Sequence, residues 1–131
     1  MDELNFIRER IEASVKLKSS LLSNDAILSS VNKLVEEIVK CYKNGGKVLW
    51  AGNGGSAADA QHLAAELSGR FYYDRAPLFS DALHVNTSYM TAVANDYSYD
   101  LVYSRLTQAM GKKGDILIGL STSGNSGNVI N

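Results

Sequence analysis

The fold of this chain is decided by the stretch Val48-Leu49-Trp50-Ala51-Gly52-Asn53-Gly54-Gly55-Ser56. The mostly apolar run 47–51 is typical of a buried strand in a parallel sheet. The glycines that follow predict a tight loop, and Ser56 with Asp59 has the form of a capping box that begins a helix over 57–68. In an open α/β sheet, ligands bind at the strand ends where such loops lie. These residues therefore predict a strand, a ligand loop and a helix in immediate succession.

A second loop of the same kind follows another apolar run. The run predicts a strand over 115–120, and the loop after it reads Ser121-Thr122-Ser123-Gly124-Asn125-Ser126. Hydroxyl and backbone N–H groups can surround a phosphate without a lysine, whereas the simpler interpretation is a Ser/Thr-rich turn that caps the next helix. The first loop also admits a simpler interpretation, a tight turn, since it has neither a P-loop ending nor a dinucleotide fingerprint. Two such loops in one domain favour a site for a phosphorylated small molecule.

Two amphipathic helices are predicted before the first strand. Apolar residues at spacings of three and four predict helices over 3–22 and from Ile27 to Tyr42, the second ending at Asn44-Gly45-Gly46. After the first ligand loop and its helix, we predict an irregular segment at 70–81, a short strand at 82–85, and helices at 87–94 and 99–110. Strands that alternate with helices indicate an α/β fold with a doubly wound parallel sheet.

The bulk composition excludes several classes of protein. The chain has 131 residues, 45% of them hydrophobic, and a formal net charge of −1, so its charge does not indicate nucleic acid as a partner. No apolar run reaches the ~18 residues of a membrane helix, and the charged N-terminus is unlike a signal peptide. Cys41 is the single cysteine, which excludes an internal disulfide. We expect it to be a buried structural thiol in a cytoplasmic protein that has no membrane partner.

The chain is predicted to be a single domain of two parts. Residues 1–45 would form a helical pair and residues 46–131 an α/β core. The last residues, Asn128-Val129-Ile130-Asn131, read as the first turn of a helix that would complete a βα unit. We therefore expect the core to be incomplete at its C-terminal end.

His62 and Glu66 lie four residues apart and so on one face of the predicted helix 57–68. An imidazole and a carboxylate at this spacing can share a zinc ion, and Asp59 can reach the same face, but a structural zinc site needs about four ligands. The alternative is a solvated helix face with a weak His–Glu pair. Glu66 has a second candidate role as a general base in a polar pocket.

Other polar and aromatic residues have a structural as well as a functional interpretation. His84, in the apolar run 82–85, is interpreted as a core or interface histidine. Asn95 and Asp96 follow the predicted helix 87–94 and are typical of a turn or cap, although they can also point at the strand edge where the loops lie. Two tyrosine clusters occur, Tyr72-Tyr73 and Tyr97/Tyr99/Tyr103. Without a basic patch beside them, they are interpreted as packing or interface residues, not as a nucleic-acid platform.

Three segments together resemble a known family. Residues 51–67, AGNGGSAADAQHLAAEL, are similar to the signature of the phosphoheptose isomerases, also called sedoheptulose-7-phosphate isomerases. Residues 120–130, LSTSGNSGNVI, match the second motif of that family, and residues 94–97, ANDY, match a shorter third motif. The resemblance covers essentially the whole chain. The first motif is specific, whereas the serine-rich motif is shared by the wider superfamily of sugar-isomerase (SIS) domains.

The resemblance implies a flavodoxin-like α/β fold around a five-stranded parallel sheet. It also implies a homotetramer with active sites between subunits, in which the two leading helices would bury their apolar stripes. The implied reaction converts sedoheptulose 7-phosphate to D-glycero-D-manno-heptose 7-phosphate through an enediol, without a nucleotide cofactor. This is the first step towards the heptose of lipopolysaccharide core.

The resemblance also implies roles for particular residues, by motif position. The phosphate would be held by Ser121, Thr122, Ser123 and Ser126. The other substrate contacts would come from Asn53, Gly54, Gly55, Ser56, Glu66, Asn95 and Asp96. His62 and Glu66 would be zinc ligands in those members that bind zinc, and Glu66 would also move the proton between C1 and C2.

One departure from the family and two alternative functions accompany this interpretation. Family members continue with a Gln and a His that complete the metal site, and neither position occurs in these 131 residues, so a truncated chain is expected to turn over little substrate. One alternative function is a non-catalytic SIS-domain adaptor that binds the replication initiator protein; the other is an SIS enzyme or regulator for hexose or pentose phosphates. His62 and Glu66 favour the enzyme over the adaptor. Together with the two leading helices, this pair also favours the heptose enzyme over an SIS enzyme or regulator for hexose or pentose phosphates.

Overall fold

The computed structural model describes residues 2–131 of the chain. Two helices precede a core in which strands and helices alternate, which confirms the predicted α/β class. The elements are α1 (Glu3–Leu21), α2 (Asp25–Lys43), β1 (Val48–Gly52), α3 (Gly55–Ser68), β2 (Ser80–Ala82), α4 (Thr87–Asp96), a 3₁₀ turn (Tyr99–Leu101), α5 (Val102–Met110), β3 (Ile116–Leu120) and α6 (Gly127–Ile130).

The two leading helices begin and end where the sequence provides caps. Leu4 N donates to Asp2 Oδ1 (3.2 Å) at the start of α1, and Ile27 N donates to Asn24 Oδ1 (3.1 Å) at the start of α2. Gly45 follows α2 with a φ of 74°, the left-handed conformation that ends many helices. Both predicted helices are thereby confirmed.

The chain divides after Glu37 into two compact units. The first contains α1 and most of α2, and the second contains the end of α2 and the α/β core. The apolar residues at helical spacing in the first unit are exposed; they include Leu4, Ile7, Ile11 and Val15 on α1, and Ile27, Val31, Leu34 and Val35 on α2. That these stripes become buried, and that the domain consists of parts 1–45 and 46–131, stay predictions.

The sheet has three parallel strands in the order β2-β1-β3. Val48 of β1 pairs with Ser80 of β2 on one side and with Ile116 of β3 on the other. All five residues of the central strand β1 are buried, as its continuous apolar run predicts. Over residues 2–131 the sheet therefore has three strands, whereas the resemblance implies five.

Helices cover both faces of this sheet. On one face a core cluster joins β1 to α3 and β2; it contains Val48, Trp50, Ala60, Ala64 and Ala82. On the other face a cluster joins β1 to α4 and α5; it contains Leu49, Ala51, Leu83, Val93, Val102 and Tyr103. Alternate residues of β1 thus point into two separate cores. This arrangement confirms the doubly wound sheet.

The second strand lies at Ser80–Ala82 and not at 82–85, so that prediction is wrong. The position of β2 is set by its pairing with β1, not by its local apolar pattern. Trp50 Nε1 donates to Ser80 Oγ (2.8 Å), and both side chains are buried. A buried serine satisfied in this way begins the strand within the segment predicted to be irregular.

Helix α3 begins two residues earlier than predicted. Its N-cap is Gly54, which makes no side-chain hydrogen bond and has a φ of 55°, a conformation that favours glycine. The predicted capping box of Ser56 and Asp59 is therefore wrong.

The ends of α4 and α5 also differ from the prediction. Helix α4 continues through Asp96, so Asn95 and Asp96 form its last turn and do not follow it. The single helix predicted over 99–110 is a 3₁₀ turn at Tyr99–Leu101 followed by α5.

Among residues 2–131, none of the helices combines the length and apolar character needed to cross a bilayer.

An ion pair joins the start of β1 to the turn before β3. Lys47 Nζ contacts Asp115 Oδ2, and both side chains are only 10% exposed. The carboxylate also accepts hydrogen bonds from Lys47 N (3.0 Å) and Lys112 N (2.7 Å). The Lys47 ammonium and these N–H groups together lower the pKa of Asp115 below its ordinary value of 3.8, against the opposing effect of burial.

We expect Asp115→Asn to reduce the free energy of unfolding by about 2 kcal/mol near pH 7, because a buried charge-assisted hydrogen-bond network is broken. Since the pKa of Asp115 is lowered in the folded state, its stabilisation is complete above pH 3.8 and is lost as the pH falls through the folded-state pKa. The difference between wild type and variant should therefore shrink in acid. Urea unfolding at several pH values measures this, with exposed Asp74→Asn as the control. A difference that does not change with pH would contradict the assignment.

Candidate functional site

The two polar loops lie at the same edge of the sheet. Gly52 at the end of β1 pairs with Leu120 at the end of β3, so Asn53 and Ser121 are the first residues beyond two adjacent parallel strands. From β1 the chain continues to β2 on one side, whereas β3 lies on the other side of β1. The space between β1 and β3 is therefore the topological switch point, where open α/β sheets bind their ligands.

The first loop presents free backbone donors. Ala57 N donates to Asn53 O (3.3 Å) and Gly54 O (3.1 Å), which closes the first turn of α3. Within the described residues 2–131, the N–H groups of Gly55 and Ser56 have no hydrogen-bond acceptor. They belong to the N-terminus of a 14-residue helix, where the helix dipole favours an anionic or electron-rich ligand atom.

The second loop gathers three serine hydroxyls. Ser121 Oγ lies 3.1 Å from Ser126 Oγ and 3.4 Å from Ser123 Oγ. Gly124 N donates to Ser121 Oγ and Asn125 N donates to Ser123 Oγ, both at 3.1 Å, so the loop is folded around its own hydroxyls. The structure thus brings together three of the four residues predicted to hold phosphate, and the fourth, Thr122, is exposed beside them.

A hydrogen-bonded amide pair connects the two loops. Asn53 Nδ2 donates to Asn128 Oδ1 (2.8 Å), and Asn128 Nδ2 donates to Asn53 Oδ1 (2.9 Å). Tyr99 OH donates to the same Asn53 oxygen (3.0 Å). One turn later Tyr103 donates its hydroxyl to Gly52 O, and burial raises the pKa of Tyr103, which keeps that hydroxyl protonated.

The sequence did not reveal the roles of Asn128, Tyr99 and Tyr103. The sequence pattern places Asn128 in a first helical turn and in the second family motif without a role of its own, and it favours packing or interface roles for the tyrosines. Tyr103 is indeed buried in the core, but Tyr99 contacts the ligand loop. No local pattern marks Asn128, because its partner Asn53 lies 75 residues earlier in the chain.

His62 and Glu66 lie on the side of α3 that faces away from the sheet, since Ala60 and Ala64 occupy the buried side. His62 Nε2 is 3.3 Å from Glu66 Oε1; the His62 side chain is 75% exposed and that of Glu66 28% exposed. No hydrogen bond or ion pair within residues 2–131 links either residue to the serine loop.

A cavity of 530 Å³ borders this histidine–glutamate pair. Its wall is largely aromatic and apolar; the lining includes Ile38, Trp50, Leu63, Leu67, Phe71, Tyr72 and Tyr73. Arg75 closes one end, where its guanidinium donates to Glu66 O (3.0 Å) and Leu67 O (2.9 Å) at the C-terminal turn of α3. This cavity and Arg75 were not predicted from the sequence.

The residues present supply two zinc donors of suitable type. An imidazole nitrogen and a carboxylate oxygen 3.3 Å apart can face one metal ion. Across residues 2–131, no group of three or more His, Cys, Asp or Glu side chains is placed to hold a metal. The pair thus fits one half of a tetrahedral site.

The other candidate residues from the sequence are Asn95, Asp96, His84 and Cys41, and each has a local structural environment that explains it. Asn95 Nδ2 donates to Asp96 Oδ1 (3.0 Å), and within the described chain neither bonds to the ligand loops. His84 is partly buried with its Nδ1 unpaired, and burial lowers its pKa despite the Asp81 carboxylate. Cys41 is buried, as predicted, and burial raises the pKa of its thiol, which donates to Lys47 O (3.4 Å).

Comparison with known proteins defines the class of this fold and site. The family model described as the SIS domain matches residues 12–131. The chain belongs to the SIS domain family.

Particular relatives within that family are phosphoheptose isomerases. The chain is 47% identical over 126 residues to the phosphoheptose isomerase of Aneurinibacillus thermoaerophilus, covering 96% of this chain and 64% of the relative. It is 47% identical over 131 residues to phosphoheptose isomerase 2 of Campylobacter jejuni, covering 99% of this chain and 65% of the relative. The chain thus spans slightly less than two thirds of the curated relatives it matches.

Solved structures similar to this chain are also phosphoheptose isomerases. A phosphoheptose isomerase from Francisella tularensis superposes with a TM-score of 0.91 at 34% identity, over 99% of this chain and 67% of that one. The phosphoheptose isomerase of Neisseria gonorrhoeae superposes with a TM-score of 0.80 at 41% identity, over 95% of this chain and 65% of that one.

Proposed function

We propose that the protein is a phosphoheptose isomerase that converts sedoheptulose 7-phosphate to D-glycero-D-manno-heptose 7-phosphate. The observation that carries this proposal is the placement of a serine hydroxyl cluster and a glycine loop on adjacent strands at the switch point. The similarity to phosphoheptose isomerases over nearly the whole chain supports this substrate class.

The serine loop is the proposed phosphate site. Hydroxyls of Ser121, Ser123 and Ser126 lie within 3.4 Å of a neighbour in the cluster, and each can turn its hydrogen toward a phosphate oxygen. The free N–H groups at the start of α3 would donate to oxygens of the sugar. Bonds to a charged phosphate are stronger than bonds between neutral groups, so this cradle can bind without a lysine.

Glu66 is the proposed base. Ketose-to-aldose conversion requires removal of a proton from C1 and its return to C2 through an enediol, while a hydroxyl proton moves from O1 to O2. A single carboxylate can remove and return the carbon-bound proton, because the two carbons are adjacent. The Glu66 side chain is 28% exposed and borders the largely apolar cavity, so this carboxylate is partly removed from water, which suits a base.

We propose zinc as the cofactor, with His62 and Glu66 as two of its ligands. When bound, zinc would act as a Lewis acid that polarises the substrate's oxygens. His62 and Glu66 would hold zinc from the exposed side of α3, and ligands from outside these 131 residues would complete the site. A direct test is zinc content: His62→Ala should lower the bound zinc per chain, whereas replacement of the half-buried His84 by Ala should not.

We further propose a homotetramer in the cytoplasm that supplies heptose for lipopolysaccharide core. The exposed apolar stripes of α1 and α2 support assembly, because such stripes are usually covered by another protein surface. The formal net charge of −1 gives no support for a nucleic-acid partner.

The deciding experiment follows sedoheptulose 7-phosphate by NMR with the protein at its natural length. We expect aldose signals to appear, to vanish on zinc chelation and to return when zinc is restored. No turnover by a folded protein supplied with zinc would overturn the proposal.

We expect Ser121→Ala with Ser123→Ala to weaken sugar-phosphate binding roughly ten- to hundredfold, because two hydrogen bonds to a charged group are lost. Isothermal titration calorimetry measures the affinity. The control pair Ser20→Ala and Ser30→Ala removes two exposed hydroxyls whose hydrogen bonds, among residues 2–131, go to carbonyls of their own helices. Equal affinity in the loop variant and in this control would place the phosphate elsewhere.

A further inference from the structure

Asn128 is a polar side chain in an environment that normally excludes it. It is 3% exposed within the one-turn helix α6. Burying a primary amide is costly unless its donors and acceptor are satisfied. The reciprocal pair with Asn53, at 2.8 and 2.9 Å, provides that satisfaction. The burial of Asn128 is therefore explained by Asn53, a residue of the other loop.

The hydrogen bonds of Asn53 account for its oxygen and for one of its two amide hydrogens. Its oxygen accepts from both Asn128 Nδ2 and Tyr99 OH, which occupies both lone pairs. Its nitrogen gives one hydrogen to Asn128. The second hydrogen has no acceptor within residues 2–131. In this arrangement, Asn53 can donate its second Nδ2 hydrogen to a ligand, but its oxygen is not available to accept a further hydrogen bond.

The amide pair also relates the two loops to each other. Ser126 is the N-cap of α6, two residues before Asn128, and its hydroxyl lies 3.1 Å from Ser121. Asn128 and Ser126 are thus two residues apart, in and directly before the first turn of α6. The pair therefore sets how far the phosphate cradle lies from the first loop.

We propose that Asn128 is a positioning residue: its buried amide, assisted by Tyr99, orients Asn53 and fixes the spacing of the two ligand loops. This inference rests on the proposed sugar-phosphate site. Asn128 itself does not contact substrate and acts through Asn53. The Nδ2 group of Asn53, held in this orientation, would donate to an acceptor oxygen of the substrate.

A double-mutant cycle in the protein at its natural length tests this role. We expect Asn128→Ala to lower kcat/KM roughly tenfold, the loss of about one hydrogen bond, and Tyr99→Phe to lower it about threefold. In an Asn53→Ala background, Asn128→Ala should change kcat/KM by less than about twofold, since its effect passes through Asn53. Tyr99→Phe removes one hydroxyl from a half-exposed ring, so it tests the same network without threatening the fold.

The control separates positioning from stability. Val129→Ala loosens the packing of α6 on Gly119 without touching Asn53, and should lower Tm while leaving kcat/KM unchanged. Equal losses from Asn128→Ala in the wild-type and Asn53→Ala backgrounds would overturn the proposal.

A second readout does not depend on the reaction. The side-chain amide resonance of Asn53, assigned with Asn53→Ala, should shift in Asn128→Ala and stay in place in Val129→Ala. If the wild type does not turn over sedoheptulose 7-phosphate, the proposed function fails and this resonance alone decides the positioning role. An unshifted resonance overturns it.

Discussion

In the protein at its natural length, Glu66→Gln is expected to lower turnover of sedoheptulose 7-phosphate by about 10³- to 10⁴-fold, because the amide cannot remove the C1 proton as the proposed base would. The same variant should stop the exchange of the substrate's C1 and C2 protons with solvent deuterium. Glutamine has nearly the same shape, and the only side-chain partner of Glu66 in the described chain is the exposed His62, so the fold should persist. NMR of the substrate in D₂O measures turnover and exchange together.

The exchange measurement makes this prediction specific. Glu12→Gln on α1 is the matched control, because it makes the same chemical change on an exposed helix face outside the proposed site. Loss of turnover with full retention of exchange would show that another group removes the carbon-bound proton. Zinc content measured on the same samples separates loss of the base from loss of a metal ligand.

Gly52→Ala is expected to destabilise the fold by about 3 kcal/mol. A Cβ at Gly52 would lie 2.6 Å from Ser56 O and 2.8 Å from Ser56 C, which are backbone atoms of α3. Helix α3 would have to move away from β1, and the loop that carries Asn53 would move with it. We therefore expect sugar-phosphate binding to fall together with stability.

The neighbouring glycine provides the comparison. A Cβ at Gly55 would meet nothing within 4 Å, and Gly55 has no positive φ, so Gly55→Ala should leave the free energy of unfolding unchanged or slightly raised. Urea unfolding of both variants measures the difference. Equal stabilities would show that α3 does not depend on its close approach to β1.

Sequence periodicity predicted those parts of the fold that depend on local physics. The buried run of β1, the amphipathic α1 and α2, and the glycine loop all carry their information within a few residues. The strand β2 does not, because Ser80 begins the strand by accepting a hydrogen bond from Trp50, 30 residues earlier. The run at 82–85 contains the buried Ala82 and Leu83, but it does not show which residue pairs with β1.

In the candidate site, too, some features follow from the local sequence and others depend on long-range packing. Small residues at strand ends indicated both loops, and the hydroxyl cluster formed where the sequence placed it. The Asn53–Asn128 pair and the cavity beside Glu66 depend on how separate elements pack, which a single sequence does not encode in a readable pattern. The distance between Glu66 and the serine loop depends on packing in the same way.

The amide pair has a consequence for how the chain folds. It joins residues 75 positions apart, so its formation requires the ends of β1 and β3 to come together across α3, β2, α4 and α5. Helices can form within microseconds, whereas contacts between distant residues bear a larger loop-closure entropy and are slower to form. We therefore expect ligand-binding competence to arise late, in chains whose sheet has assembled. A sugar phosphate that spans both loops would select those chains and shift the folding equilibrium towards them by mass action.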